Sequence, residues 1–422
     1  MNAAASKYEN IIPNYAFRIT NCQSFSPLSV NINLNGGVFM KRVMSAILCF
    51  VLFVSVLSFS AFAEGKMPVE VKAKAAVLMD ADSGKVLMAM NENQKLYPAS
   101  VTKIMTMLLV AEALEGGKIA FSDTVTASAD AVKKGGSQIW LKEGETMTVD
   151  ELYKAMAVYS ANDACAALAE YVAGSEEAFI VMMNERAREL GMKNTNFENC
   201  TGLDDTADNH LTTAYDIALM ARELMTHDFV KKYTTIWMDS LRNGETELVN
   251  TNKLVRFYSG CTGLKTGTTS KAGCCVCATA TREGTSLIAV VLGSDNSSDR
   301  FEGAKAMLNY GFANWETVIP EIDPSLITEV AVSMGCERSL IPQIPAAASV
   351  LVPKGRLGDI VQDIKLATAV EAPVESNQVL GEVRVSLDGE TVGTYPLTAP
   401  HYVERLTFSE VYRRMLAVFS KN

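Results

Sequence analysis

One apolar run constrains the fold of this 422-residue chain more than any other stretch. It extends from Ile104 to Leu114 without Gly or Pro and is followed by two glycines, so we expect a helix that ends there. Apolar side chains would lie nearly all round this helix, which is typical of a helix buried at the centre of a domain. The hexapeptide Pro-Ala-Ser-Val-Thr-Lys precedes the run and places Ser100 and Lys103 at its first turn.

A serine and a lysine three residues apart lie on one face of a helix, with their Cβ atoms about 5–6 Å apart. The start of a helix also presents unpaired amide N–H groups and the positive end of the helix dipole. A hydroxyl, an amine and N–H donors therefore meet at one point. On its own, however, Ser-x-x-Lys more often marks a helix cap with a solvated lysine.

Two further motifs favour a chemical role. Ser-Ala-Asn at 160–162 lies between two segments of helical pattern, and Lys-Thr-Gly at 265–267 begins a strand-like run. Penicillin-binding proteins and class A β-lactamases carry S-x-x-K, S-D-N and K-T-G in this order; here Ala161 replaces the Asp. On these motifs the chain resembles the D-alanyl-D-alanine carboxypeptidases of the low-molecular-mass, class C penicillin-binding proteins, from about Lys72 to the C-terminus.

The resemblance implies a role for each residue of the first two motifs. Ser100 would be the nucleophile and Lys103, if neutral, its general base. Burial and repulsion from Lys265 are both expected to lower the pKa of Lys103. Asn162 would hydrogen-bond Lys103 and the substrate amide, and Ser160 would pass a proton between Lys103 and the leaving group.

The third motif is expected to bind the terminal carboxylate of the substrate. Lys265 would supply positive charge and Thr266 a hydroxyl, while Gly267 would leave room for the substrate along the strand. By resemblance, the backbone N–H groups of Ser100 and Thr268 would form the oxyanion hole.

The implied reaction is acyl transfer in two steps. Ser100 attacks the penultimate D-Ala carbonyl of a peptidoglycan pentapeptide, the terminal D-Ala leaves, and water hydrolyses the acyl-enzyme. β-Lactams would mimic D-Ala-D-Ala and trap Ser100. The resemblance implies no metal and no organic cofactor.

Three alternative functions share these motifs or this fold. A class A β-lactamase needs a deacylating Glu after the middle motif, but Glu170, Glu176 and Glu177 do not lie in its E-x-x-L-N context. A D,D-endopeptidase would use the same machinery, and the sequence leaves this alternative open. A non-catalytic wall-binding protein is disfavoured because the residues that carry the chemistry are all present, namely Ser100, Lys103, Ser160, Asn162 and Lys265.

Two residues outside the motifs carry open interpretations. His210 begins a His-Leu-Thr-Thr-Ala stretch that resembles one common in the family, and we expect it to be a structural histidine in a loop before a capped helix. Trp140 lies in a mixed segment that contains a Gly-Gly-Ser loop. It either lines the cleft or packs against the domain.

The first 63 residues are expected to be absent from the mature protein. A Lys-Arg pair, an uncharged apolar stretch at 43–59 and Ala-Phe-Ala predict a signal peptide over 40–63, cleaved after Ala63. A transmembrane anchor is disfavoured because the stretch is short for a span of about 20 residues. Residues 1–39 are interpreted as an artefact of gene prediction, with Met40 as the true start.

Charge and cysteine content exclude some partners. The chain is acidic, with a formal net charge of −10 and no basic run, so nucleic acid is not expected to bind. The mature chain keeps an odd number of cysteines, which indicates free thiols. A metal site at Cys274, Cys275 and Cys277 is disfavoured because no His is near and the run has the pattern of a buried strand.

Strand patterns on both sides of a helical block predict an α+β fold of the β-lactamase/transpeptidase type, in which one antiparallel sheet carries packed helices. This serine D,D-peptidase domain is expected over 64–319, with a linker around Pro320 and a small β-rich domain over 326–400. The segment 404–422 predicts an amphipathic helix with arginines off its apolar stripe. It is expected to anchor the exported protein to the outer face of the cytoplasmic membrane; docking on its own domain is the alternative.

Overall fold

The computed structural model describes residues 68–205, 207–344 and 348–419. The predicted signal peptide over 40–63 and the extension over 1–39 lie outside the described residues.

The first part of the chain is a hairpin followed by the helical block. Its elements are β1 (Ala75–Asp80), β2 (Val86–Met90), α1 (Lys103–Glu115), β3 (Thr124–Thr126), β4 (Thr146–Thr148), α2 (Val149–Lys154), α3 (Asn162–Ala173), α4 (Glu176–Glu189), α5 (Ala214–Leu224), α6 (Val230–Thr234), β5 (Met238–Leu241), β6 (Thr246–Val249) and α7 (Leu254–Phe257).

Strand character then returns and dominates up to the last helix. The remaining elements are β7 (Cys261–Thr269), β8 (Gly273–Arg282), β9 (Thr285–Ser294), α8 (Ser297–Asn314), β10 (Trp315–Val318), β11 (Val330–Ser333), β12 (Ser339–Leu340), β13 (Val350–Pro353), β14 (Val361–Leu366), β15 (Ala369–Glu371), β16 (Val379–Leu387), β17 (Glu390–Thr398) and α9 (Phe408–Phe419).

The main sheet has the strand order β2-β1-β9-β8-β7 and is antiparallel throughout. Strands from both ends of the helical block thus share one sheet, which confirms the predicted fold class. Both faces of the sheet are covered. Val77 and Met79 of β1 pack with the helical block, whereas Ala76 and Leu78 pack against α8. Burial on both faces explains why β1 has a continuous apolar sequence rather than an alternating one.

Helix α1 is the central buried helix that its sequence predicts. Its residues from Lys103 to Ala111 are all buried. Three helices of the block around it begin at the capping residues that the sequence predicts. Thr148 and Glu151 form a reciprocal capping box at α2, and Ser175 and Thr213 cap α4 and α5 through their side chains.

The chain after the main sheet forms small β-sheets with two apolar cores of their own. The Asp-Gly at 388–389 forms the hairpin turn between β16 and β17, as predicted. Strand β10 pairs with β13, although β10 precedes the linker that the sequence predicts around Pro320. Lys85, between β1 and β2, also forms an ion pair at 3.3 Å with Glu390, the first residue of β17. The main-sheet segment and the β-rich segment are therefore joined by strand pairing as well as by the linker.

Helix α9 carries its apolar stripe on an exposed face. Phe408, Tyr412 and Met415 are each more than half exposed. Arg414 donates to the carbonyl of Cys336 at 2.6 Å. Among the described residues, no helix combines the length and apolarity needed to cross a bilayer.

Candidate active site

The first element of the site is the 3₁₀ turn at Ala99–Thr102, which holds Ser100 just before α1. Ala99 has φ +49°, a conformation that is unfavourable for a residue with a Cβ and that persists only where its surroundings enforce it. Lys103 is fully buried. Its Nζ donates to Ser100 Oγ at 3.0 Å and to Asn162 Oδ1 at 2.5 Å, so the structure brings the nucleophile candidate and the first two motifs together.

Burial lowers the pKa of Lys103, while the nearby thiols of Cys165 and Cys200 and the Asp163 carboxylate oppose that change. Burial and then the Lys103 ammonium lower the pKa of Lys265 well below its usual range. The predicted effect of burial on Lys103 is thus present. The expected repulsion between the two lysines is also present, and it contributes to the lowered pKa of Lys265.

The second motif lies where a helix is interrupted. A π-helical turn at Ala155–Tyr159 follows α2, and Ser160 then adopts a left-handed conformation with φ +68°. Ser160 is buried, and its Oγ has no hydrogen-bond partner among the described residues. Asn162 begins α3, and its Nδ2 donates to the carbonyl of Gly135 at 2.6 Å. The amide therefore has one fixed orientation, with Oδ1 directed to Lys103.

The third motif lies on β7, at the edge of the main sheet. Lys265 is fully buried and its Nζ donates to Thr266 O at 3.1 Å. The Thr266 hydroxyl bonds to that of Thr251 at 2.7 Å. A Cβ on Gly267 would lie 2.8 Å from Ser100 N and 2.9 Å from Pro98 O. The missing side chain of Gly267 therefore lets β7 approach the turn that carries Ser100 closely.

Arg300 is a site residue that the sequence analysis missed. It lies in the first turn of α8, which packs across β8 and β9. Its Nη1 donates to Gly267 O at 2.8 Å, to Thr268 Oγ1 at 2.9 Å and to Cys275 O at 3.2 Å. Arg300 follows the third motif by more than 30 residues and stands in an ordinary helical pattern, so no local signal marks it.

The loop over 199–204 was also missed. The carbonyl of Thr201 accepts a hydrogen bond from Lys103 Nζ at 2.8 Å, which gives this buried amine its third acceptor. Asn199 Oδ1 accepts from the backbone N–H of Gly202 at 2.6 Å. The Asn-Cys-Thr-Gly sequence is a turn signal, but a turn signal does not show that a backbone carbonyl will face a lysine.

The structure also places the residues with open interpretations. His210 is buried, with Nε2 2.8 Å from Thr102 Oγ1 and Nδ1 accepting from the Glu198 N–H at 3.0 Å. These contacts fit a structural role. Trp140 is 76% exposed, so it does not pack into the domain.

Glu176, one of the glutamates that follow the middle motif, and three of the cysteines make structural contacts. Glu176 pairs with Lys134 and accepts from the N–H of Cys200, so its carboxylate is engaged. Cys275 and Cys277 lie opposite Gly267 and Lys265 across β7 and β8. Among residues 68–205, 207–344 and 348–419, no cluster of three or more His, Cys, Asp or Glu side chains could hold a metal ion.

A sheet backed by helices, with a buried lysine on a serine at the start of the central helix, defines the class of serine acyl-transfer enzymes with an S-x-x-K nucleophile. Comparison with known proteins narrows this class. Residues 61–296 match the model of the D-alanyl-D-alanine carboxypeptidase family. Residues 323–405 match that of the penicillin-binding protein 5 C-terminal domain. The chain belongs to the D-alanyl-D-alanine carboxypeptidase family, as its motifs predict.

Individual relatives agree with this assignment. The D-alanyl-D-alanine carboxypeptidase DacF of Bacillus subtilis is 40% identical over 390 residues, which cover 90% of this chain and all of the relative. DacC of Escherichia coli is 37% identical, over 79% of this chain and 85% of its own length. Penicillin-binding protein 5 of Haemophilus influenzae superposes with a TM-score of 0.71 at 32% identity, over 81% of this chain and 100% of that structure.

Proposed function

We propose that this protein is a serine-type D-Ala-D-Ala carboxypeptidase that removes the terminal D-Ala from peptidoglycan pentapeptides and is acylated by β-lactams. The observation that carries the proposal is the 3.0 Å contact between Lys103 Nζ and Ser100 Oγ, inside a fully buried environment. Family membership supports the reaction, and the geometry supports the assignment of roles to individual residues.

In acylation, neutral Lys103 accepts the Ser100 proton as Oγ attacks the penultimate D-Ala carbonyl. The lowered pKa of Lys103 favours its neutral form. Asn162 fixes the amine through its 2.5 Å hydrogen bond and is assigned to the substrate amide by resemblance. The backbone N–H groups of Ser100 and Thr268 are assigned to the oxyanion hole by resemblance.

Proton delivery to the leaving D-Ala is assigned to Ser160. Its hydroxyl is buried, yet no partner among the described residues occupies it, which leaves it available to a transferred proton. The left-handed backbone of Ser160 supports a functional reason for this position, because such strain is retained where the site requires it.

The terminal carboxylate is assigned to the surface of β7 around Thr266 and Thr268. Lys265 was expected to supply the positive charge, but burial and Lys103 lower its pKa. Arg300 retains its charge in all ordinary conditions and already donates to Thr268 Oγ1 and Gly267 O. Arg300 is therefore a further source of positive charge, beside Lys265, for selecting a free C-terminus.

We also propose that the enzyme acts outside the cytoplasmic membrane and is attached to its outer face. The predicted signal peptide over 40–63 would export the domains over 64–319 and 326–400. The helix within 404–422 would then bind the membrane surface. The exposed apolar residues Phe408, Tyr412 and Met415 support binding to a surface over docking on the protein's own domain.

The test compares the mature chain from Glu64 with its Ser100→Ala variant, using fluorescent penicillin and a soluble peptide that ends in D-Ala-D-Ala. Labelling of the wild type alone, together with release of D-Ala, is the expected result. Labelling without D-Ala release would contradict the carboxypeptidase and indicate an endopeptidase. A wild type that is not labelled would contradict the acyl-serine mechanism itself.

A further inference from the structure

Trp140 has a backbone conformation that a bulky residue rarely adopts. Its φ is +58°, within the left-handed region that is unfavourable for any residue with a Cβ. Packing of the indole does not compensate, because the residue is 76% exposed. Such a conformation persists only where the surrounding structure enforces it.

The residues that enforce it are identifiable. The backbone N–H groups of Ile139 and Leu141 donate to the two carboxylate oxygens of buried Asp163, at 3.2 and 3.0 Å. Arg242 donates to the carbonyl of Ile139 at 2.9 Å. Because one carboxylate holds the amides on both sides of Trp140, the indole is held away from the domain and toward solvent.

The same segment lies directly on the reaction centre. Ser137 O accepts from the Asn162 N–H at 2.7 Å, Gly135 O accepts from Asn162 Nδ2, and a Cβ on Gly136 would lie 2.7 Å from that same nitrogen. Three residues of extended chain reach at most about 10 Å. Trp140 therefore lies beside the start of α3, close to Asn162 and Asp163.

We propose that Trp140 is a specificity-determining residue that packs against the side chain of the residue preceding D-Ala-D-Ala in the stem peptide. The inference rests on the proposed function, in which Asn162 binds the substrate amide. The peptide that continues from this amide away from D-Ala-D-Ala then passes the segment that carries Trp140. A rigid exposed indole offers a large apolar surface at low cost in conformational entropy. The favoured occupant is a long aliphatic side chain.

The test compares two substrates in the wild type and in Trp140→Gly. Glycine adopts φ +58° without strain, so this variant is expected to fold. One substrate, diacetyl-L-Lys-D-Ala-D-Ala, carries the long side chain, and the other, acetyl-D-Ala-D-Ala, lacks it. We expect Trp140→Gly to lower kcat/KM about 10-fold for the first, mainly through KM, and less than about twofold for the second.

Two further variants test whether the effect comes from an aromatic ring at position 140 or from the loss of any exposed aromatic side chain. Trp140→Phe keeps a ring and should keep most of the preference. Phe257→Ala is the matched control, because Phe257 is 66% exposed and packs on Trp237. It should leave kcat/KM unchanged for both substrates. If Trp140→Gly lowered kcat/KM equally for both substrates, or for neither, the proposed role of Trp140 would be overturned. A wild type that penicillin does not label would instead overturn the proposed function.

Discussion

A Cβ added to Gly202 would lie 1.8 Å from the carbonyl oxygen of Ala99. Gly202 has φ +87° and Ala99 has φ +49°, so two left-handed residues face each other beside the nucleophile turn. Thr201, which precedes Gly202, supplies the carbonyl that accepts from Lys103. The loop thus supports Ser100 and Lys103 together, through backbone contacts that require the absence of a side chain.

Gly202→Ala is therefore expected to reduce stability by about 3 kcal/mol, from the clash and from the left-handed backbone together, and to slow penicillin acylation. The measurements are chemical unfolding and the rate of labelling. Gly191→Ala is the matched control, since Gly191 has φ +76° and no atom lies within 4 Å of its added Cβ. It should lose only about 1 kcal/mol. Equal losses in the two variants would contradict the steric argument.

These contacts show which parts of the site the sequence predicts and which it does not. The helix over 103–115 and the sheet follow from local apolar patterns and capping signals, and both are confirmed. The three motifs could be found because each is short and side-chain based. Thr201 acts through its carbonyl and Gly202 through a missing side chain, so neither carries a readable pattern.

The remaining differences arise from contacts made across the fold. Arg300 reaches Thr268 only because α8 packs on the sheet. Gly267 faces Ser100 N rather than open space, which depends on how closely β7 approaches the nucleophile turn. The lowered pKa values of Lys103 and Lys265 likewise arise mainly from burial, which only the packed fold creates. None of these relations is local in sequence.

Lys103→Arg should nearly abolish acylation. Burial lowers the pKa of Lys103, so its neutral, basic form increases as pH rises through that lowered value. Arg remains protonated at every working pH. We expect the wild-type rate of penicillin labelling to rise with pH and level off, and the variant to react about 100- to 10,000-fold more slowly. A wild-type rate that falls with rising pH would contradict the assignment of Lys103 as base.

Arg300→Gln should weaken selection for a free C-terminus. The substitution removes the charge but keeps hydrogen-bond donors near Gly267 O and Thr268 Oγ1, which the guanidinium now contacts. A hydrogen bond to a charged group contributes about 1.5–3 kcal/mol, so kcat/KM for a D-Ala-D-Ala peptide should fall roughly 10- to 100-fold. The C-terminal amide of the same peptide is the control and should change little. An equal fall for both peptides would indicate that Arg300 acts only on folding.

His210 should make stability depend on pH. Burial lowers its pKa from 6.5 to about 4, so between these values the unfolded chain binds a proton that the folded chain does not. The contribution of neutral His210 to the free energy of unfolding is then fully present above about pH 6.5. It is lost as pH falls toward 4, by at most about 3 kcal/mol. Urea unfolding of the wild type and His210→Gln across this range measures the effect. The variant should show a smaller dependence on pH, and an unchanged dependence would contradict the role of His210.

Ending the chain at Thr407 should release the enzyme from membranes without changing its chemistry. The truncation removes the exposed apolar residues Phe408, Tyr412 and Met415 together with the arginines that flank them. An amphipathic helix binds a membrane through buried apolar area and through attraction to anionic lipid. We expect the mature chain, but not the truncated one, to sediment with vesicles that contain anionic lipid, and less strongly at high salt. The rates of D-Ala release from a soluble peptide should agree within about twofold, because the active-site residues lie in the domain over 64–319, far along the chain from α9. Equal sedimentation of both chains would show that α9 is not the anchor.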